Sequence, residues 1–423
     1  MNFVFEDKDN YLNYTSCPDH AMSGAKRFAP SPMAITVLHR TQMAKRYSLD
    51  DKPSPYIVAT GVNHHPADWV GSSAVYDNSN KSPFESLHKK LLNDVQSGKA
   101  MLLFDQSLEG YQTTWLWEYF HIECEKYNID PQAIVYTSGN LLGSLQYEEW
   151  ANGNNKTDRI TVIPYAHFEF DMHERGAEAG INLSVDTHLS YKKEHDIKSY
   201  NCLQKRLRNH RIWFYVKLLE ANLLSEGLVS MNTFSSNAYL EGKTIPPELA
   251  DRANATLPSL VYGKSNIEHK DSFYINRIND DVCLDSWVSV ISEASAADSN
   301  GQLFLSEKIF KPIVCYHPFI ILGDKGSLQS LRDMGYKTFD GFIDERYDTL
   351  PTWERYDAII EELKRIIAIK DKATWFEDMR PILEHNYKNL KNNSGQVNPA
   401  FVKLERAYKK YFKIGKYKDA SRY

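Results

Sequence analysis

The chain has 423 residues with a formal net charge of -5 and is 42% hydrophobic and 25% charged, which excludes disordered and fibrous classes and any whole-molecule attraction to nucleic acid. Its length exceeds one ordinary core and suits two domains of about 150 to 200 residues. The opening MNFVFEDKDN lacks a charged stretch followed by an apolar one, and no apolar run reaches the roughly 18 to 20 residues that span a bilayer. A cytoplasmic protein with neither a cleaved signal nor a transmembrane segment is expected.

Residues 1–55 are polar, weakly periodic and broken by Pro30-Ser31-Pro32 and Lys52-Pro53-Ser54-Pro55, the pattern of an arm wrapped on the first domain. Over residues 56–195, strands at 56–62, 100–104, 133–136 and 160–164 alternate with helices at 85–96 and 113–127. A second series fills residues 196–395. It has a strand end at 200–202, a helix at 210–224, a strand at 228–231 and an insertion at 232–282 to which the pattern assigns no element. A strand at 287–291, a helix at 306–315, a strand at 318–322 and a helix at 327–334 follow. Helices at 353–370, 373–389 and 399–413 finish the chain, the last within a basic tail of residues 396–423. Strands alternating with helices imply parallel sheets. The expected fold class is α/β, two doubly wound Rossmann-like lobes with a central cleft and C-terminal helices.

In open parallel sheets, ligands sit at the carboxyl ends of the strands, where helix starts present free amides and positive dipole. Ser306-Glu307-Lys308-Ile309 lies at such a point, between the apolar strands 287–291 and 318–322. Glu307 there suits ribose hydroxyls and Lys308 a diphosphate. The competing reading is two solvated residues of an amphipathic helix, the glutamate favoured by the dipole. Arg211 opens a helix whose apolar stripe Ile212, Tyr215, Leu218 and Leu219 faces a core, and Arg206, Arg208 and His210 add positive charge to the same turn. A basic first turn opposes the dipole unless an anion compensates it. Arg211 and Lys308 are therefore expected to be exposed to the cleft and to converge on one diphosphate.

Three motifs fall in a recognisable order: Val135-Tyr136-Thr137-Ser138-Gly139-Asn140, then Arg211-Ile212-Trp213-Phe214-Tyr215-Val216-Lys217-Leu218, then Glu293-Ala294-Ser295 leading to Phe304-Leu305-Ser306-Glu307-Lys308-Ile309. Together they resemble the α1,3-fucosyltransferase family of GT-B glycosyltransferases. That family has a strand ending Tyr-Thr-Gly-Glu-Asn, a helix Arg-x-x-Phe/Tyr-Tyr-x-x-Leu whose arginine binds the donor phosphates, and a Glu-Asn segment leading into Thr-Glu-Lys-(Ile/Leu). The resemblance implies a GT-B fold and donor binding by Arg211, Glu293, Ser306, Glu307 and Lys308; Arg208, in the same basic turn as Arg211, is a secondary candidate by its charge. It also implies a final helix crossing back to the first lobe, a role that suits residues 401–412. Two positions depart from the pattern: the family's catalytic carboxylate falls on Gly139, and Ala294 replaces Asn. Overall the chain is similar to divergent GT-B enzymes carried by phages and other large viruses.

An inverting transferase needs a base to deprotonate the acceptor hydroxyl. Glu109 and Asp105, just past strand 100–104, are the first candidates; His167, Glu169 and Asp171, past strand 160–164, come second. Asp7-Lys8-Asp9 and Glu169-Phe170-Asp171 offer Asp-x-Asp-like metal spacing, while His64-His65 point to opposite faces of an extended chain. No metal or other cofactor is expected, since Arg211 and Lys308 take the place of a cation on the departing diphosphate. The five cysteines (17, 124, 202, 283, 315) lack CxxC spacing and read as reduced thiols. In the tail, Lys403, Arg406, Lys409, Lys410, Lys413, Lys416 and Lys418 interleave with Phe401, Leu404, Tyr408, Tyr411 and Phe412. That mixture fits a solvated face whose aromatics pack on their own domain, or a contact to anionic membrane or nucleic acid.

The sequence thus points to a metal-independent, inverting glycosyltransferase with a nucleotide-sugar donor. Its hydroxyl acceptor is a glycan, a lipid-linked sugar or a modified DNA base, met in the cytoplasm, the host's if the source is viral. The alternative, favoured by Gly139, is a non-catalytic nucleotide- or carbohydrate-binding protein on a degenerate version of the fold.

Overall fold

The computed structural model describes residues 1–4, 31, 33–34, 37, 43, 45–47, 52, 54–61, 84, 87–110, 115–169, 171–172, 181–204, 207–234, 238–240, 242–260, 280–296, 301–395 and 398–414. They fall into two compact units, Met1–His167 with Gly395–Tyr423, and Phe168–Ser394. The first boundary thus falls at residues 167/168, where the sequence pattern put it at 195/196.

The first unit is built on a six-stranded parallel sheet of β1 (Asn2–Val4), β2 (Lys45–Tyr47), β3 (Tyr56–Gly61), β4 (Ala100–Gln106), β5 (Ile134–Ser138) and β6 (Thr161–Pro164). Its order, β2-β1-β3-β4-β5-β6, is the doubly wound 2-1-3-4-5 arrangement with one strand added. The first 55 residues are therefore not merely an arm. Phe3 and Val4 pair with Ile57 and Val58 and are fully buried. Every residue of β4 is buried, as a central parallel strand covered on both faces requires. Around it, α1 (Lys89–Gln96) buries Leu91 and Val95, α2 (Trp115–Lys126) buries Leu116, Phe120 and Cys124, and α3 (Gly143–Gly153) buries Tyr147 and Ala151. These i, i+4 stripes are what hold amphipathic helices on a sheet. Phe104 of β4 meets Phe84 and Phe120 at ring-centre distances of 5.0 and 5.6 Å.

The second unit opens with α4 (Val185–Glu194) and β7 (Lys198–Leu203), then α5 (Asn209–Glu220) and β8 (Gly227–Ser230). Gly227 has to be glycine: a Cβ there would lie 2.4 to 2.7 Å from the ring of buried Tyr200. The insertion at 232–282, left unassigned from sequence, contains an antiparallel hairpin of β9 (Tyr239–Leu240) and β10 (Lys243–Thr244), then α6 (Pro247–Leu260). After it come α7 (Asp280–Leu284), β11 (Ser286–Ser292), α8 (Glu307–Val314), β12 (Phe319–Leu322), α9 (Ser327–Asp333) and α10 (Thr352–Ile367). The single helix expected over 373–389 is two, α11 (Lys372–Asp378) and α12 (Arg380–Gly395). The sheet is parallel, in the order β12-β11-β7-β8.

The last helix, α13 (Pro399–Tyr411), belongs to the first unit. Phe401 packs on Tyr165 just past β6 (5.6 Å between rings), and the Tyr408 hydroxyl donates to the Pro55 carbonyl at 2.7 Å. Lys403, Arg406, Lys409 and Lys410 stay exposed on the other face. The tail's aromatics therefore cover their own unit; Lys416 and Lys418 lie outside the described residues. Cys124, Cys202, Cys283 and Cys315 are free and buried, and among the described residues no helix is long and apolar enough to cross a membrane.

Candidate functional site

Strand order makes the second unit the place for a candidate site. From β7 the chain crosses to β8 on one side of the sheet, then returns through β11 to β12 on the other side. The carboxyl ends of β7 and β11 therefore flank a topological switch point, the usual ligand crevice of an open α/β sheet. The helices that follow these strands, α5 and α8, both begin there. α5 starts at Arg208 without a side-chain cap, and α8 starts at Ser306, whose hydroxyl accepts the Lys308 N–H.

Glu293, just past β11 and fully buried, ties the two helix starts together. Its carboxylate accepts the Ser306 N–H at 3.1 Å on Oε1 and the Ser306 hydroxyl at 2.5 Å on Oε2. Its backbone carbonyl accepts from Arg211 at 2.8 Å and from the His210 ring at 3.0 Å. Arg211 also donates to the Ser292 carbonyl at 3.1 Å, and Arg208 to the Ala294 carbonyl at 2.7 Å. On the other side Lys308 Nζ donates to Ser306 Oγ at 2.9 Å and to Glu307 at 2.8 Å. Arg211 and Lys308 are thus linked through one residue.

Two expectations need correcting. Arg211 is only 4% exposed; its guanidinium is held by strand-end carbonyls, and the cations on the accessible side are Arg208, exposed, and Lys308, half-buried. His210 adds no charge at pH 7: burial and then Arg211 push it down to about 3, so the neutral ring donates Nε2–H to the carbonyl. Burial, with Arg208 adding, pushes Arg211 down to about 10, which still leaves it charged.

Around these groups the carboxyls divide. Burial raises Glu307, but Lys308 and Lys311 outweigh it and hold the carboxylate below its ordinary range. Burial raises Glu293 against the pull of Lys308 and Ser306. Burial also pushes Asp324, at the end of β12, up to about 7. Half-buried Lys311, one turn into α8, is lowered to about 8 by burial, with Glu307 opposing and Lys308 reinforcing the shift. The sequence reading missed both Lys311 and Asp324. Lys311 was legible at four residues from Glu307 on a helix; Asp324 had no local signal.

In the first unit the base candidates separate. Asp105, 2% exposed, accepts four hydrogen bonds: Ser31 Oγ (2.5 Å), Met33 N (2.7 Å), Ser107 N (3.0 Å) and Thr137 Oγ1 (2.7 Å). A carboxylate so occupied pins β4 and β5 to Ser31 and Met33. Asp105→Ala strands several of those donors and is expected to cost roughly 3 kcal/mol or more, read as a lower urea midpoint. Glu109 is exposed at the end of β4, and its carbonyl accepts the Gly139 N–H at 3.1 Å. It stands beside the position where the resemblance placed a carboxylate. His167 is buried and packs against Tyr165 at 5.8 Å.

In the second unit, Glu169 is buried and its Oε1 accepts from Tyr336 and Asn393, each at 2.7 Å, a structural contact. Asp171 is half-buried and near enough to raise Lys311. Asp7-Lys8-Asp9, His64-His65, Phe170 and Arg206 lie outside the described residues.

No family model matches the chain, and no curated protein does. Among solved structures, it is similar to a UDP-forming α,α-trehalose-phosphate synthase from Burkholderia xenovorans, with a TM-score of 0.46 and 7% identity over 98% of this chain and 99% of that one. An α1,3-fucosyltransferase gives 0.40 and 11% over 98% and 91%. The N-terminal domain of a Candida albicans trehalose-6-phosphate phosphatase gives 0.44 and 9% over 96% and 89%. Such likeness carries no weight alone; the α/β architecture, two doubly wound parallel sheets, stands on the strand pairing itself.

Proposed function

We propose that this chain is a glycosyltransferase of GT-B type, hexosyl or fucosyl, that passes a sugar from a nucleotide-sugar donor to a hydroxyl acceptor. The observation that carries the reading is the gathering of Arg208, Arg211 and Lys308 at two helix starts on either side of one switch point, with Lys311 one turn further along α8. Cations placed where the dipoles are already positive repel one another and the dipoles, and an anion relieves both. A diphosphate supplies that charge. In this reading Arg208, Lys308 and Lys311 stabilise it as it leaves, without a metal ion, and Glu307, kept ionised by its lysines, accepts from ribose hydroxyls.

The transfer is an in-line displacement with inversion. The acceptor oxygen bonds to the anomeric carbon, the bond from that carbon to the diphosphate oxygen breaks, and the electron pair leaves on the diphosphate. Glu109 is the base this reading assigns, because Asp105 is pinned and Gly139 has no side chain. A melting screen with UDP, GDP, CMP and dTDP sugars tests the reading, followed by measurement of free sugar released from any donor that binds. A donor that raises the melting temperature but is never cleaved or transferred overturns the enzyme reading in favour of a binding protein.

Proton linkage gives a separate check. Lys311 must carry its proton to hold phosphate, and that proton is lost as pH rises through about 8. Affinity for UDP or GDP is therefore expected to fall by up to about tenfold per pH unit above that point. Titration calorimetry from neutral to alkaline pH should show the fall, and Lys311→Gln should flatten it.

A further inference from the structure

Four buried side chains around the switch point keep one polar atom without a hydrogen bond: Ser292 Oγ, Gln204 Oε1, Asp324 Oδ1 and Gln302 Nε2. Their residues are 3%, 2%, 2% and 7% exposed. Folded proteins keep few such atoms, because each has given up water for nothing.

Register shows that they belong together. Ser289 of β11 pairs with Asn201 of β7, so Gln204 falls opposite Ser292. Strand alternation puts both side chains on the face away from Asn201 and Ser289. Gln204 Nε2 donates to Cys202 Sγ at 3.1 Å, and that thiol is close enough to Arg211 to feel its charge. This face is therefore the one α5 covers. Ser292 also pairs with Leu322 of β12, and Asp324 follows two residues later, just past the strand. Asp324 takes the Phe304 N–H at 3.3 Å on Oδ2 and a side-chain hydrogen bond from Ser295, which brings the loop carrying Gln302 to the same strand ends.

The unused atoms are two acceptors, one hydroxyl and one amide donor. A phosphate offers only acceptors and matches the cations better; an alkyl group would leave all four unmatched. Neighbouring hydroxyls, each able to donate and accept, complement the set. We propose that Ser292, Gln204, Asp324 and Gln302 form a subsite for a vicinal diol on a ring of the bound ligand, resting on the diphosphate reading above. The diol comes from the ribose or from the transferred sugar.

Calorimetric titration of wild type, Asp324→Asn and Ser292→Ala with UDP, GDP, their 2′-deoxy forms, UDP-glucose and GDP-mannose tests this. If ribose is the source, both variants lose at least about tenfold in affinity for UDP or GDP and match wild type on the 2′-deoxy forms. If the sugar is the source, the loss appears only with UDP-glucose or GDP-mannose. Ser292→Ala without ligand should melt no lower than wild type, because its hydroxyl holds nothing. Variants that bind every probe as wild type does, or a Ser292→Ala chain that melts lower with binding unchanged, overturn the subsite and leave the diphosphate reading standing. A wild-type chain that binds none of the probes overturns both.

Discussion

Lys308→Ala is expected to weaken binding of a nucleoside diphosphate roughly a hundredfold, the scale of losing one charged donor from an anion site, while the melting temperature barely moves. Lys308 is half-buried at the start of α8, and its ammonium donates to Ser306 and Glu307. Removing it deprives the α8 side of the cation nearest solvent. The fold has other means of support, because Ser306 remains fixed to Glu293 and Lys311 still faces Glu307. Transfer, if measured with a donor that binds, should fall at least as far as affinity. Calorimetry and a melting curve on the same sample check both halves. Unchanged affinity would remove Lys308 from the phosphate site.

Arg211→Ala should behave differently. Its guanidinium satisfies the carbonyls of Ser292 and Glu293 inside the protein. His210 still reaches the Glu293 carbonyl, but in the variant the Ser292 carbonyl loses that donor. Two charge-assisted hydrogen bonds and a packed side chain go together, for a cost on the order of 3 kcal/mol, seen as a lower urea midpoint. Ligand binding should weaken too, because the β11 end that orients Ser306 loses its brace. Arg211→Lys keeps the charge but not the fork that spans two carbonyls, and should recover only part of the stability. A variant as stable as wild type would show that the helix start is held by something other than this side chain.

How much of this was legible depended on the range of each signal. α8 was readable almost to its ends, since Ser306 is a good cap, Glu307 suits the first turn and Cys315 closes it. The continuous apolar runs of β4, β11 and β12 named themselves as buried parallel strands. β1 and β2, three residues each, are too short to show a period, so the pattern marked only an arm. Asp105 looked like a free carboxylate because its partners Ser31 and Met33 lie 74 and 72 residues away. Arg211 was marked by its place at a helix start, yet its burial depends on where β11 ends, which the helix's own sequence does not contain. Glu293 was marked by resemblance as a donor ligand; its role in joining two helix starts depends on contacts with residues 82 or 83 positions earlier and 13 later, which no local pattern encodes.

The placement of α13 bears on how the molecule is made. Residues 168–394 form one uninterrupted stretch, so a ribosome delivers that unit whole. The unit begun by the first 167 residues waits for a helix translated more than two hundred residues later, and until then Tyr165 and the Pro55 carbonyl lack Phe401 and Tyr408. During synthesis the earlier half is therefore the later to mature, and it is the half that calls for chaperone cover.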